Sequence, residues 1–248
     1  MKARPCRLRL SVVIPAYNEE KLIAGTISGL RESLRGAGFG EGEFELIVCD
    51  NASSDATATM AAGAGARVVF EPERQIARAR NLGASLAGAP WLLFLDADSW
   101  PDVLLMGELA AALADEAVVA GGCTMRMENV PGTVGAALRA WNLTSRLCRW
   151  AAGAFIFCRA DAFRAIGGFG LDFYVAEEID LSRRIKRWGA SRGLKFRILY
   201  RYPLLTSGRK GALYSQREMW SLMLSMLRHP RRFFRDRRLL YLWYDGRR

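Results

Sequence analysis

Short apolar runs alternate with segments of helical spacing along the first half of this 248-residue chain, and that alternation restricts the folds open to it. Trp91 to Leu95 has the length and residue types of a buried strand, and Leu10 to Ile14, Phe44 to Cys49 and Arg67 to Phe70 also read as strands. Between them, Glu20 to Leu34 repeats apolar residues at helical spacing, and Arg74 to Leu86 reads as a further helix. Ser54-Asp55 can cap a short alanine-rich helix in the second connection. A βαβα order predicts an α/β fold: a doubly wound, mostly parallel sheet flanked by helices, since crossover helices are the ordinary way back to a parallel strand. Asp102 to Leu113 and Ala117 to Ala120 extend the pattern by a helix and a strand, with Ser99 placed to cap that helix.

After Gly121 the pattern loosens. Thr133 to Ala152 has the spacing of an amphipathic helix carrying Trp141, Leu143, Leu147 and Trp150. Phe155 to Cys158 reads as a short strand, Glu178 to Trp188 as a helix and Leu194 to Leu199 as a closing strand. The expected organisation is one domain over residues 8–205 and a basic, aromatic helical extension over 206–248. In that extension arginines from Arg228 to Arg238 are interleaved with Phe233, Phe234 and the run Leu239 to Tyr244. Two readings of it stand side by side: contact with a bilayer interface, or a helix packed on the body with a solvated arginine face.

Composition removes several classes of chemistry. His229 is the one histidine, so a His-based triad or a His metal pair has no second member to draw on. The five cysteines, at 6, 49, 123, 148 and 158, are odd in number and form no C-x-x-C pair, which speaks against a disulfide framework and zinc and for a reducing compartment. Neither a signal peptide nor a run of 18 or more apolar residues is visible, so the expected location is cytoplasmic, at most at the inner face of the membrane. A net charge of +11 favours anionic partners.

The strands end in polar, acidic stretches: Pro15-Ala16-Tyr17-Asn18-Glu19, Asp50-Asn51 and Asp96-Ala97-Asp98. The carboxyl ends of parallel strands share an edge, so these stretches can meet around one ligand. Two carboxylates at i and i+2 can grip one hard cation and leave positions open for phosphate oxygens. An aromatic ring and a further carboxylate suit a nucleotide, one stacking on the base and the other receiving its N–H groups. Glu177-Glu178-Ile179-Asp180 opens a helix, where acids are favoured by the helix dipole and where one could serve as a general base.

These residues resemble a known family. Ser11 to Glu20, Asp50 to Thr57, Ala77 to Ala84, Phe94-Leu95-Asp96-Ala97-Asp98, Gly153 to Phe157 with Phe163 to Phe169, and Glu177-Glu178-Ile179-Asp180-Leu181 are similar, in order and spacing, to the motifs of family 2 glycosyltransferases. The resemblance implies a GT-A fold, a nucleotide-sugar donor, a divalent metal (Mg or Mn) and transfer with inversion at the anomeric carbon. It implies that Tyr17 and Asp50 contact the base and that Pro15, Glu19 and Arg80 shape the nucleotide pocket. It also implies that Asp96 serves ribose or metal, that Asp98 is the metal ligand, and that Glu178 is the base with Glu177 its rival. Glu178 departs from the family's usual Asp, lengthening the arm by one methylene. No histidine stands at the late metal-ligand position of some members; Arg209 and Lys210 instead offer cations for the departing diphosphate.

The expected partners are a nucleotide-sugar and a sugar- or lipid-linked acceptor, with membrane contact through the extension and no nucleic acid. Two other readings remain. A nucleotidyltransferase would need a Gly- and Lys-rich phosphate loop near the first strand, which Pro15 to Glu19 is not. A nucleotide-sugar-binding protein without catalysis is the other; the intact acids at 96, 98 and 178 argue against it, but retention of residues is not activity. Nucleic-acid binding would leave the acidic stations unexplained, because carboxylates repel phosphate without an intervening metal.

Overall fold

The computed structural model describes residues 8–128, 130–151, 153–172 and 176–207. Its elements run β1 (Leu10–Ala16), α1 (Ile23–Gly36), β2 (Phe44–Asp50), α2 (Thr57–Gly63), β3 (Arg67–Phe70), α3 (Ile76–Ser85), β4 (Trp91–Leu95) and β5 (Ser99–Trp100). They continue with α4 (Val103–Ala114), β6 (Val118–Met127), α5 (Gly132–Cys148), β7 (Phe155–Arg159), α6 (Ala160–Ala165), α7 (Glu177–Ala190) and β8 (Lys195–Thr206). All eight strands join one sheet in the order β3-β2-β1-β4-β7-β6-β8-β5.

Side-chain alternation along the strands builds two cores. Val12, Ile14, Leu46, Val48, Leu93 and Leu95 face one way, against α1, α2 and α4. Their neighbours Val13, Ile47, Cys49, Leu92 and Phe94 face the other, against α3, α6 and α7. A period of two with both faces apolar is what turns each strand into a continuous hydrophobic run. Phe94 anchors the second core, 5.2 Å from the Phe163 ring and 4.9 Å from that of Phe169. Gly83 lets α3 settle on β1 and β2: a Cβ there would stand 2.7 Å from the Cys49 sulfur.

The first four strands are parallel, as the alternation predicts. The second half of the sheet is mixed. β7 runs antiparallel to both β4 and β6, while β6 and β8 are parallel. The short Phe155 run carries no signal of direction, and β7 is antiparallel to β6 even though α5 connects them.

Several expected boundaries shift. β6 extends to Met127 rather than stopping at Ala120, because its outer half pairs with β8, which itself reaches Thr206. Ser99 is not a helix cap; it sits in β5, where its hydroxyl donates to Thr206 Oγ1 at 3.1 Å, and Asp102 caps α4 by accepting from the Leu105 N–H. β1 continues through Pro15 to Ala16. Its pairing with β4 ends at Val13, so its last residues are paired on one side only, a setting in which a strand tolerates proline. Among the described residues no helix is long and apolar enough to cross a membrane. Nearly all of the 206–248 extension lies outside the described residues.

Candidate active site

Three parallel strands deliver their ends to one edge. Ala16 pairs with Asp50 in register, and the Asn51 N–H donates to the Ala16 carbonyl at 2.8 Å. This brings Tyr17 to Glu19 beside Asp50 and Asn51. Asn18 holds both chains: its backbone N–H donates to Ser53 Oγ at 3.0 Å and its side chain accepts from the Ser54 N–H at 2.9 Å. Asp50 is buried and accepts from the Ser53 N–H at 3.1 Å. The Tyr17 ring is covered by the Arg74 guanidinium, 3.8 Å from its centroid. Pro15 and Glu19 are buried; the Glu19 carbonyl accepts from Leu22 and Ile23 and so starts α1. Thr26 of α1 donates to the Ala97 carbonyl at 2.7 Å, tying that helix to the Asp96–Asp98 loop.

Arg80 is the hub of the site. It lies on the buried side of α3 with 1% of its surface exposed. Its guanidinium donates to Glu177 Oε1 at 2.7 Å, to Asp96 Oδ1 at 3.0 Å and to the Gly153 carbonyl at 2.9 Å. The Phe169 ring lies 5.2 Å from it. Four segments far apart in sequence therefore meet on one side chain. Burial alone would pull the Arg80 pKa down; the charges of Asp96, Glu177 and Glu178 outweigh it and hold it above its ordinary value.

Glu177 and Glu178 open α7 with different surroundings. Glu177 is buried and paired with Arg80, whereas Glu178 is half-buried. Burial, with the Glu178 charge alongside, pushes the Glu177 carboxyl up from its ordinary 4.5 to about 8, against the opposing pull of Arg80. The Glu178 carboxylate reaches the Gly153 position, where a Cβ would stand 3.4 Å from its Oε1.

Among the described residues four non-glycine residues take left-handed backbone: Asn18, Ala52, Arg149 and Ala176, with φ of 51°, 62°, 52° and 67°. Three of them adjoin Tyr17, Asn51 and Glu177. Left-handed conformation costs a non-glycine residue roughly 1–2 kcal/mol, and strain of this kind gathers at functional edges.

Among the described residues no group of three or more His, Cys, Asp or Glu converges as a ready cation cage. Asp96 and Asp98, two residues apart and both half-buried, present hard oxygen ligands. That donor set fits Mg or Mn, which are commonly held by one or two carboxylates together with substrate phosphates. Arg209, Lys210 and His229 lie outside the described residues.

Arg74 is missed by motif reading: it lies between strand and helix in a charged stretch, and only the fold lays it on Tyr17. Asn81 is a second omission. Its side chain donates to the Phe169 carbonyl and accepts from the Phe169 N–H, both at 2.9 Å, which fixes the segment ahead of α7. Its signal was an amide next to a buried arginine on an otherwise alanine-rich helix.

The sequence model described as Glycosyl transferase family 2 matches residues 11–179. An uncharacterized glycosyltransferase of Mycobacterium bovis is 31% identical over 144 residues, which span 55% of this chain and 60% of that protein. The chain thus matches less than two thirds of that curated relative. Among solved structures, a mannosyltransferase from Pyrobaculum calidifontis in complex with GDP-Man and Mn2+ superposes with a TM-score of 0.66 at 20% identity, covering 87% of this chain and 60% of that one. Glucosyl-3-phosphoglycerate synthase from Mycobacterium tuberculosis, in complex with Mn2+, UDP and phosphoglyceric acid, superposes with a TM-score of 0.56 at 20% identity, covering 86% and 74%.

Proposed function

The chain belongs to glycosyl transferase family 2, and on that premise we propose that it transfers a sugar from a nucleoside-diphosphate donor to an acceptor hydroxyl, with inversion. The observation that carries this reading is the Arg80 hub, which holds Asp96 of the β4 loop and Glu177 of α7 on one guanidinium. A donor-binding carboxylate and a base-bearing helix are thereby fixed relative to each other. Mannosyl donor and Mn2+ in one structural neighbour, and UDP and Mn2+ in another, support a nucleotide-sugar at this edge.

In this reading the base of the nucleotide lies against Tyr17 and Arg74, and Asp50 receives its N–H groups. Asp96 faces ribose and diphosphate, with its second role that of Arg80's partner. A divalent cation on Asp98, when bound with the donor, supplies charge neutralisation to the departing diphosphate. Arg209 and Lys210 are further cations proposed for that leaving group.

Glu178 is the base. It is more accessible than Glu177, it stands beside Gly153, and its carboxylate is not the one that Arg80 holds. It takes the proton of the acceptor hydroxyl as that oxygen attacks the anomeric carbon. The bond from that carbon to the diphosphate oxygen breaks, its electron pair leaving with the nucleoside diphosphate. Attack opposite the leaving group inverts the carbon. Glu177 positions Arg80 rather than touching substrate.

The acceptor is proposed to be sugar- or lipid-linked. The test is nucleoside diphosphate release across a panel of nucleotide sugars, with and without Mn2+. One or a few donors should be turned over in a metal-dependent way. Nucleotide release that ignores the sugar, or donor binding with no release under any condition, overturns the reading.

A further inference from the structure

We propose that helix α5, with the exposed Tyr200–Tyr202 bend of β8 beside it, is the surface by which this protein rests on an anionic lipid layer. Of the 17 residues of α5 only Ser145 is buried. Val134, Leu138, Trp141 and Ser145, at helical spacing, form its more covered face, and polar bonds tie it to the sheet as well. Asn142 accepts from the Met125 N–H at 3.0 Å and donates to the Met125 carbonyl at 2.8 Å. On the outside, Leu143 and Leu147 are 57% and 75% exposed, and their four-residue spacing puts them on one face. Tyr200 and Tyr202 are exposed as well, and the Arg146 guanidinium lies 4.4 Å from the Tyr200 ring centroid. Leucines flanked by tyrosines and long cationic side chains match a membrane–water boundary, where apolar bodies go in and polar ends stay wet.

Charge decides the occupant. No acid occurs between Glu128 and Asp161, while Arg139, Arg146 and Arg149 lie on α5 or at its end. Residues 208–248 carry eleven Lys and Arg against three acids, so they supply +8 of the net +11. That segment is like-charged with α5 and would be repelled by it, as would the α5 of a second copy. An anionic lipid surface complements both basic regions at once.

Position gives the surface a purpose. α5 ends at left-handed Arg149, and the chain then reaches Gly153, whose carbonyl Arg80 holds beside Glu178. On the proposed glycosyltransferase reading, a lipid-linked acceptor hydroxyl presented along α5 arrives at the base without leaving the bilayer surface.

Cys148 makes this testable in the full chain, because Cys49, Cys123 and Cys158 are buried. A Cys6→Ser protein labelled at Cys148 with an environment-sensitive fluorophore is mixed with phosphatidylcholine vesicles with or without phosphatidylglycerol. The probe should shift to the blue with the anionic vesicles. The same probe placed instead at Ser85→Cys, at the end of α3, should not. The double variant Leu143→Glu/Leu147→Glu should weaken vesicle partition at least about tenfold while its melting temperature and nucleoside diphosphate release into water stay unchanged. A Cys148 probe that stays unshifted while the protein floats with the vesicles assigns binding to residues 208–248 and overturns the proposal. So does a double variant that binds like wild type, or one that instead abolishes a dimer, which assigns the face to a second copy. Donor turnover in the same preparations is read separately: its absence from wild type refutes the enzymatic reading and leaves the vesicle result standing.

Discussion

Glu177→Gln is the most direct probe of the Arg80 hub. In the folded protein the Glu177 carboxyl titrates at about 8, against an ordinary value of 4.5. A raised carboxyl pKa means that the native state holds a proton the unfolded chain has released. Stability from this group is complete below the unfolded value and is lost as pH rises through the folded one. Within that window one proton separates the two states, so stability falls by about 1 kcal/mol or slightly more per pH unit. From about pH 5.5 to about pH 7.5 the loss is roughly 2–3 kcal/mol. Glutamine has the shape of the protonated acid, accepts from Arg80 and cannot ionise. The variant should therefore lack this slope and gain on wild type as pH rises. Urea unfolding of both proteins across the window measures it, the difference between the two curves cancelling the titrating groups that do not touch Glu177. Parallel curves would mean that Glu177 is ionised throughout and that Arg80, not burial, sets its charge. A slope of the opposite sign would refute the reasoning outright.

Asp98→Asn and Glu178→Gln should each lower turnover of the preferred donor at least about a hundredfold, the range for loss of a general base or of charge at the leaving group, with little change in melting temperature. Wild-type rates in both would sink the role assignment. Gly83→Ala should destabilise by about 1–3 kcal/mol in urea unfolding, because its Cβ would enter the Cys49 sulfur and the Val13 side chain. A variant as stable as wild type would show that α3 can lift from the sheet. In alkylation followed by mass spectrometry, Cys148 should react in the native protein, whereas Cys49, Cys123 and Cys158 should react only after unfolding. Burial pushes the Cys49 thiol up to about 12 and raises the other two as well. Fast native labelling of Cys158 would contradict the described core.

Much of this is legible in the linear chain because strand and helix periods are local. The runs at 10, 44 and 91 are apolar on both faces, the mark of strands in a sheet covered by helices on both sides, whereas the run at 67 forms a partly exposed edge strand. Their polar ends must then share an edge, so Tyr17, Asp50 and Asp96 are neighbours before any coordinates exist. Arg80 was half-legible. It lies three residues after Ala77 and four before Ala84, on the buried stripe of α3, and a buried arginine needs acids facing it. Which acids those are, no spacing tells.

The sequence by itself determined the family and the parallel half of the sheet, and it singled out the residues proposed to carry the chemistry. Each of these follows from patterns within one element or at its end. The tertiary structure alone decided what those residues do to one another. It reversed β7, a strand too short to declare a direction. It extended β6 and β8 by giving each the other as partner. It separated Glu177 from Glu178, adjacent and alike in sequence, by burying one on Arg80 and leaving the other half-buried. It also left α5, amphipathic on paper and therefore expected to pack, with Leu143 and Leu147 facing outward. Helical spacing says that two faces differ, but only the packed fold says which of them meets water, protein or lipid.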